Sequence, residues 1–262
     1  MGSDSGPAPA HGGPRYKVRY PNRRIGYLLK EFLGVFDPDD LYLYLTDGGH
    51  WENTGLVELL REGMLDEVVC LDADTKASTL RQLADAIVLA KLEIGAEIKI
   101  DLDELRRAPG TVARGADYAR RSVAVGVVRA GGQCGLLWYA KPVLTAKTPA
   151  DLLAYAETDP TFPSTSTIDQ FFHTSQFVAY RDLGRYNARE LVEARTALLD
   201  AIARAPDLTR LRALTDTHWA VGSVLKLVDD EEHYSCLRAA LGKPLPDRPD
   251  VLAQVLPSPA VA

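Results

Sequence analysis

The sequence predicts an α/β fold: a parallel sheet with flanking helices, an antiparallel strand pair and a helical C-terminal region. Three observations lead there. Short strand-like segments at residues 41–45, 67–71 and 97–100 alternate with segments of helical period, the order that builds a parallel sheet through helical crossovers. Runs at 122–128 and 135–144 flank Ala130-Gly131-Gly132-Gln133, whose paired glycines suit a hairpin turn. From Pro149 onward the apolar residues recur at helical spacing.

Taken in order, residues 1–14 form a Gly/Pro/Ser-rich leader without an apolar signal-peptide core, a composition that predicts disorder. Residues 25–35 (IGYLLKEFLGV) have helical periodicity, Asp37-Pro38-Asp39-Asp40 marks a turn, and the strand at 41–45 follows. Asn53 is a suitable N-cap for a helix through Leu56, Val57, Leu59 and Leu60, with Gly63 as its stop. Residues 67–71 (EVVCL) read as a buried strand, with Thr75 or Ser78 capping a helix over 79–94 and a short strand at 97–100. Helices are expected at 150–157, 168–183, 188–203 and 208–227, and a last one runs from the acidic residues 229–232 through Leu241. The expected divisions are an α/β domain over 15–145, a helical region over 146–243 and a Pro-rich tail over 244–262.

A formal charge of −6 argues against a nucleic-acid partner, because phosphate binding needs a basic surface. Lys17, Arg19, Arg23 and Arg24 form a local basic cluster, read as a solvated arm or as a contact to an acidic lipid surface. Cys70, Cys134 and Cys236 are odd in number and scattered, which suggests reduced thiols in the cytoplasm rather than a disulfide framework. No apolar run approaches the roughly 20 residues that span a bilayer.

The densest chemistry lies in Thr46-Asp47-Gly48-Gly49-His50-Trp51-Glu52-Asn53-Thr54-Gly55, where an apolar strand ends and a helix starts. Ligands of open α/β sheets gather at the carboxyl ends of strands, and Asp47 would project from that edge. Gly48 and Gly49 would permit the turn and the approach of a substrate. A partly shielded carboxylate there could orient a serine hydroxyl and accept its proton. The plainer alternative is an Asx turn capped by Asp47. Asp47, His50 and Glu52 crowd one turn too closely to converge readily on a metal, and His50 suits a supporting role beside Asn53. Asp72 and Asp74 read as turn or cap residues, or as part of the same pocket. His218, His233 and Cys236 have metal-like spacing within helical sequence but lack a fourth ligand, so no metal and no cofactor is expected. His173, among Phe171, Phe172 and Phe177, reads as half-buried and hydrogen-bonded.

The longer string from Tyr44 to Arg61, YLTDGGHWENTGLVELLR, resembles the Asp-Gly-Gly segment of bacterial, actinobacterial-type patatin-like phospholipases, with Thr54 for the usual leucine and Trp51 for the usual tyrosine or phenylalanine. The similarity extends over about residues 20–183, including 68–72 and 162–172. The resemblance implies a partial patatin-like sheet and a lipid acyl hydrolase with a serine–aspartate dyad and no histidine, and it places the aspartate role on Asp47. The family's nucleophile, in Gly-x-Ser-x-Gly, and its glycine-rich oxyanion loop both precede that aspartate. Here the serines before Asp47 are Ser3 and Ser5, and Gly2-Ser3-Asp4-Ser5-Gly6 centres an aspartate. No Gly-x-Ser-x-Gly occurs anywhere in the sequence. The expectation is therefore a C-terminal portion, inactive alone. Its partners would be a lipid or acyl-ester substrate in the intact protein, a serine-bearing upstream chain or a second copy of itself. The expected location is cytoplasmic, with membrane association in the full-length protein. The alternative is a non-catalytic binding or regulatory module that keeps the half-fold.

Overall fold

A hairpin sits at the centre of the fold. In the computed structural model, which describes residues 29, 33, 51–63, 66–73, 80–113, 116–166 and 171–242, strands β5 (Val123–Ala130) and β6 (Gln133–Ala140) pair antiparallel along their whole length. Gly131 and Gly132 join them at φ 55° and 79°, the left-handed conformations a two-residue turn needs if its twist is to match the strands. Both strands read as nearly unbroken apolar runs, VAVGVVRA and QCGLLWYA, because both faces of the sheet are covered.

Two outer strands complete a four-stranded sheet of order β1-β6-β5-β2. Strand β1 (Glu67–Leu71) runs parallel to β6, with Val69 opposite Trp138, and β2 (Glu97–Ile100) runs antiparallel to β5. The parallel sheet and the separate antiparallel pair expected from the sequence thus form one mixed sheet. The crossover from β1 to β2 does return the chain in the same direction, but the hairpin occupies the space between those strands. Gly126 is essential to that insertion: a Cβ there would lie 2.8 Å from the Lys99 carbonyl of β2.

Helices α1 (Leu56–Arg61) and α2 (Arg81–Ile94) cover one face, burying Leu56, Val57, Leu60, Leu83, Ala86 and Ala90 against Val68, Cys70, Ile98, Leu137 and Tyr139. The C-terminal helices cover the other: α4 (Thr174–Arg204), α5 (Leu208–Arg212), α6 (Trp219–Leu227) and α7 (Glu231–Leu241) pack on Val125, Val127, Leu136 and Trp138. A third cluster joins α3 (Ala150–Thr158) to the start of α4 through Leu144, Leu152, Phe162, Ala179 and Leu183. Strands β3 (Arg107–Ala113) and β4 (Ala116–Ala119) form a separate two-stranded ladder. These elements all belong to one unit, Gly48–Ala262; in the other, Met1–Asp47, the Leu33 amide donates to the Leu29 carbonyl. Among the described residues no helix is long and apolar enough to cross a membrane.

Several expectations change. The helices expected at 168–183 and 188–203 are a single 31-residue helix, and the one at 208–227 is broken into α5, a 3₁₀ turn at Thr215–Thr217 and α6. Asn53 is exposed and does not cap α1: Gly55 stands at the N-cap, and the buried Glu52 carboxylate accepts the Val57 amide at 3.2 Å. His173 is exposed rather than half-buried. The thiols are not all reduced: Cys134, at the start of β6, is bonded to Cys236 of α7, with Cα atoms 5.7 Å apart, while Cys70 is free and buried. A separation of 102 residues hid a pair that the sheet-on-helix packing brings together. The helix at 25–35 apart from Leu29 and Leu33, the strand at 41–45, the caps Thr75 and Ser78, Asp74 and the tail 244–262 lie outside the described residues.

Helix α7 carries a group that should make the fold sensitive to acid. His233 is buried, and neither ring nitrogen has a hydrogen-bond partner among the described residues. Its pKa is held below the ordinary imidazole value, first by burial and then by Arg129 and Lys99, with Asp229 and Asp230 opposing. The unfolded chain therefore binds a proton more readily than the native one. Stability should be unaffected well above the ordinary value of 6.5 and should fall as pH drops below it. Urea unfolding midpoints measured across that window should show the loss, by at most about 1.4 kcal/mol per pH unit, and His233→Met should flatten it.

Candidate functional site

Because β1 and β6 are parallel, their carboxyl ends lie side by side. Each ends in a charged residue that the fold buries: Asp72 after β1 and Lys141 after β6. Seven consecutive buried residues precede Lys141, so its ammonium must find a partner inside. It donates to Asp72 Oδ2 at 2.8 Å, and the buried Tyr139 hydroxyl donates to the same oxygen. The Asp72 amide donates to the Ala140 carbonyl, extending the β1–β6 ladder by one bond. Sequence reasoning offered Asp72 as a turn residue or a pocket wall; the structure makes it the anion at the centre of a buried polar cluster. Charges placed this way are costly unless paired and hydrogen-bonded, and here they are both.

The segment that follows the Asp-Gly-Gly string adjoins this edge. Glu52 accepts from the Thr54 amide at 2.6 Å and from the Val57 amide, and the Thr54 hydroxyl accepts the Leu56 amide at 3.3 Å. Two side chains thus satisfy the first amides of α1, and Glu52 adds negative charge at the helix's positive end. Cys70, one residue before the end of β1, has its thiol pushed up to about 11, chiefly by burial, with Asp72 and Glu52 acting in the same direction. It stays a protonated thiol at neutral pH and offers no nucleophile. Asp47, Gly48, Gly49 and His50 lie outside the described residues.

Across the hairpin, Ser122 stands just before β5 at the same edge. Its amide and hydroxyl donate to Glu190 Oε2 of α4 at 2.9 and 2.6 Å, and Arg121 donates to Glu190 Oε1 at 3.2 Å. Asn187, one turn earlier on α4, donates to the Lys141 carbonyl at 3.0 Å. Ser122 is fully buried and its proton is engaged by Glu190, so it serves as a tie between sheet and helix. Beside this tie lies a cavity of about 200 Å³ lined by Arg121, Tyr186, Arg189, Glu190, His218 and Trp219. The Arg121 guanidinium lies over the Trp219 ring at 5.2 Å. The His218 ring nitrogen Nδ1 accepts the Ala220 amide, capping α6, and burial and then Arg121 hold its pKa low.

Comparison of the chain with protein-family models, curated proteins and solved structures gives no match. The geometry therefore stands by itself. It is a polar carboxyl edge held by Asp72–Lys141–Tyr139 on one side of the hairpin and Ser122–Glu190–Arg121 on the other. The sequence contained a signal for the missed members. On α4 the buried positions Leu183, Asn187, Glu190, Leu191 and Ala194 share one stripe, and an amide and a carboxylate within an apolar stripe mark polar groups with buried partners. The metal-like set does not assemble, because Cys236 is bonded to Cys134 and His233 is enclosed in the core.

Proposed function

We propose that this chain is the aspartate-bearing C-terminal portion of a patatin-like serine acyl hydrolase that acts on lipid esters, with Asp47 as its catalytic carboxylate. The observation that carries the reading is the string from Tyr44 to Arg61, with Asp-Gly-Gly placed just ahead of α1. Two features support it. The string leads through α1 into β1, whose carboxyl end lies in the polar edge where α/β sheets place their chemistry. In addition, β1 is an edge strand among the described residues and exposes Val69 at 48% and Leu71 at 70%, as suits a sheet continued by further strands better than a closed module.

In this mechanism a serine hydroxyl attacks the ester carbonyl carbon while Asp47 takes its proton. Backbone amides of a glycine-rich loop hold the oxyanion. Collapse of the tetrahedral adduct expels the alcohol, which receives the proton from Asp47. Water then cleaves the acyl-serine by the same steps, with Asp47 as base. The present sequence has no Gly-x-Ser-x-Gly, so the serine must come from a segment ahead of it or from a second chain.

The test has two arms. The purified chain should neither turn over p-nitrophenyl esters nor react with a fluorophosphonate. Extended by the in-frame upstream coding segment, or mixed with a separate serine-bearing chain, it should gain both activities, and Asp47→Asn should then reduce turnover by about 100- to 10,000-fold. Labelling of a serine in the chain alone would overturn the missing-nucleophile account. Turnover indifferent to Asp47→Asn, or the lack of any serine-bearing segment or partner, would leave the non-catalytic module as the better reading.

A further inference from the structure

Three phenylalanines gather at the start of helix α4, and the fold leaves them exposed. Phe171 is 89% exposed, Phe172 44% and Phe177 61%, while the helix's inner stripe is buried normally. Aromatic rings grouped this way at one end of a helix are a binding feature rather than scattered surface residues.

The base beneath them is firmly packed. Phe172 stacks on Tyr180 with centroids 5.5 Å apart, and Tyr180 meets Phe162 edge-on at 5.0 Å. Phe162 in turn meets Tyr155 of α3 at 5.1 Å. The Tyr180 hydroxyl donates to Thr165 Oγ1 at 2.9 Å and accepts the Thr165 amide at 3.0 Å, pinning the preceding loop to the helix. The rings thus project from a built platform.

Charge identifies the partner. The chain as a whole is acidic at −6, yet residues 171–189 carry Arg181, Arg185 and Arg189 against one carboxylate, Asp182. The four-residue spacing from Phe177 to Arg181 and Arg185 sets both arginines on the exposed side of α4 that presents Phe177. Asp182 bridges Arg181 and Arg185 at 2.8 and 3.1 Å, which leaves one of their two charges uncompensated, and Arg189 has no ion pair among the described residues. An apolar aromatic end followed by a basic flank matches the depth profile of a bilayer surface, with acyl chains inside and anionic headgroups at the rim.

We propose that the aromatic end of α4 docks on an anionic phospholipid surface, with Phe171, Phe172 and Phe177 entering the acyl boundary and Arg181 and Arg185 engaging headgroup phosphates. The choice of a bilayer rests on the lipid-ester reading above, but the binding needs no hydrolysis. Sedimentation therefore reads it separately from esterase activity, and either can fail without the other.

The purified chain should sediment with vesicles of phosphatidylcholine containing phosphatidylglycerol and more weakly with phosphatidylcholine alone. Phe171→Ser with Phe177→Ser should lower the partition coefficient about tenfold or more. Arg181→Glu with Arg185→Glu should weaken binding to the anionic vesicles and remove much of its salt dependence. Unchanged circular dichroism and melting in these exposed-site variants would show that the fold is intact. Absence of sedimentation with either vesicle would overturn the proposal. So would binding that survives both double substitutions, which would belong to the basic residues 15–24. A dimer in solution that Phe171→Ser with Phe177→Ser converts to monomer, without vesicle binding, would assign the surface to a second copy of the chain.

Discussion

Reduction of the Cys134–Cys236 bond should destabilise the protein by about 4 to 5 kcal/mol. The bond closes a loop of 102 residues, and the loss of chain entropy in the unfolded state grows with the logarithm of loop length, giving about 4.7 kcal/mol for a loop of this size. A typical domain has about 5–15 kcal/mol in total, so the reduced form should stand near the edge of stability. The melting temperature should fall by on the order of 10 °C. The effect should concentrate at the C-terminus. Helix α7 packs on the sheet through Tyr234 and Leu237, and the Tyr234 hydroxyl donates to the Ala205 carbonyl at 2.7 Å. Denaturant titration with and without dithiothreitol checks the magnitude. Cys134→Ser with Cys236→Ser should reproduce the reduced value and make the protein insensitive to reductant. A midpoint unmoved by dithiothreitol would mean that the thiols are not bonded in solution.

Local order was legible in the sequence, and neighbourhood was not. The strands at 67–71 and 97–100 have the expected bounds: the first is a mostly apolar run, the second alternates charged and apolar residues, and an aspartate closes each. The hairpin was legible because Gly131-Gly132 can take the positive φ that a two-residue turn requires, between two apolar runs. Strand order escaped because alternation of elements reports how the chain is connected, not which strands pair, and an inserted hairpin leaves that alternation unchanged. The gap expected between two helices, 184–187, contains Gly184. Helical glycine costs only about 1 kcal/mol, and the stripe from Ala179 to Ile202 packs on both sides of it with more than that to gain. The β3–β4 ladder carries Pro109 and Gly110, which argue against a strand, and its pairing shifts register between Arg107 and Val112. Of the candidate site, the Asp-Gly-Gly string is a motif the sequence states outright. The buried partners of Asp72 and Glu190 are not, because each lies 68 or 69 residues away in sequence from the group it holds.

The second large effect should come from Lys141→Met. Methionine matches the length and volume of lysine, so the substitution leaves little cavity and removes mainly the ammonium. Asp72 would then be left in a buried position without the cation 2.8 Å away. Breaking a buried pair from one side costs about 3–5 kcal/mol, because the remaining ion keeps its desolvation penalty. Pairing the substitution with Asp72→Asn removes that ion as well. An asparagine oxygen can still accept the Tyr139 hydroxyl, so the double variant should recover much of the loss, with a coupling well above the few tenths of a kcal/mol expected for independent sites. The location of the damage follows from the strands. Asp72 and Lys141 end the parallel pair β1 and β6, so the loss should appear first in amide exchange at residues 69–72 and 138–141. If Lys141→Met costs less than about 1 kcal/mol, the ion pair contributes no more than a surface pair would, and the polar edge is held by Ser122–Glu190 and Asn187 on the other side of the hairpin.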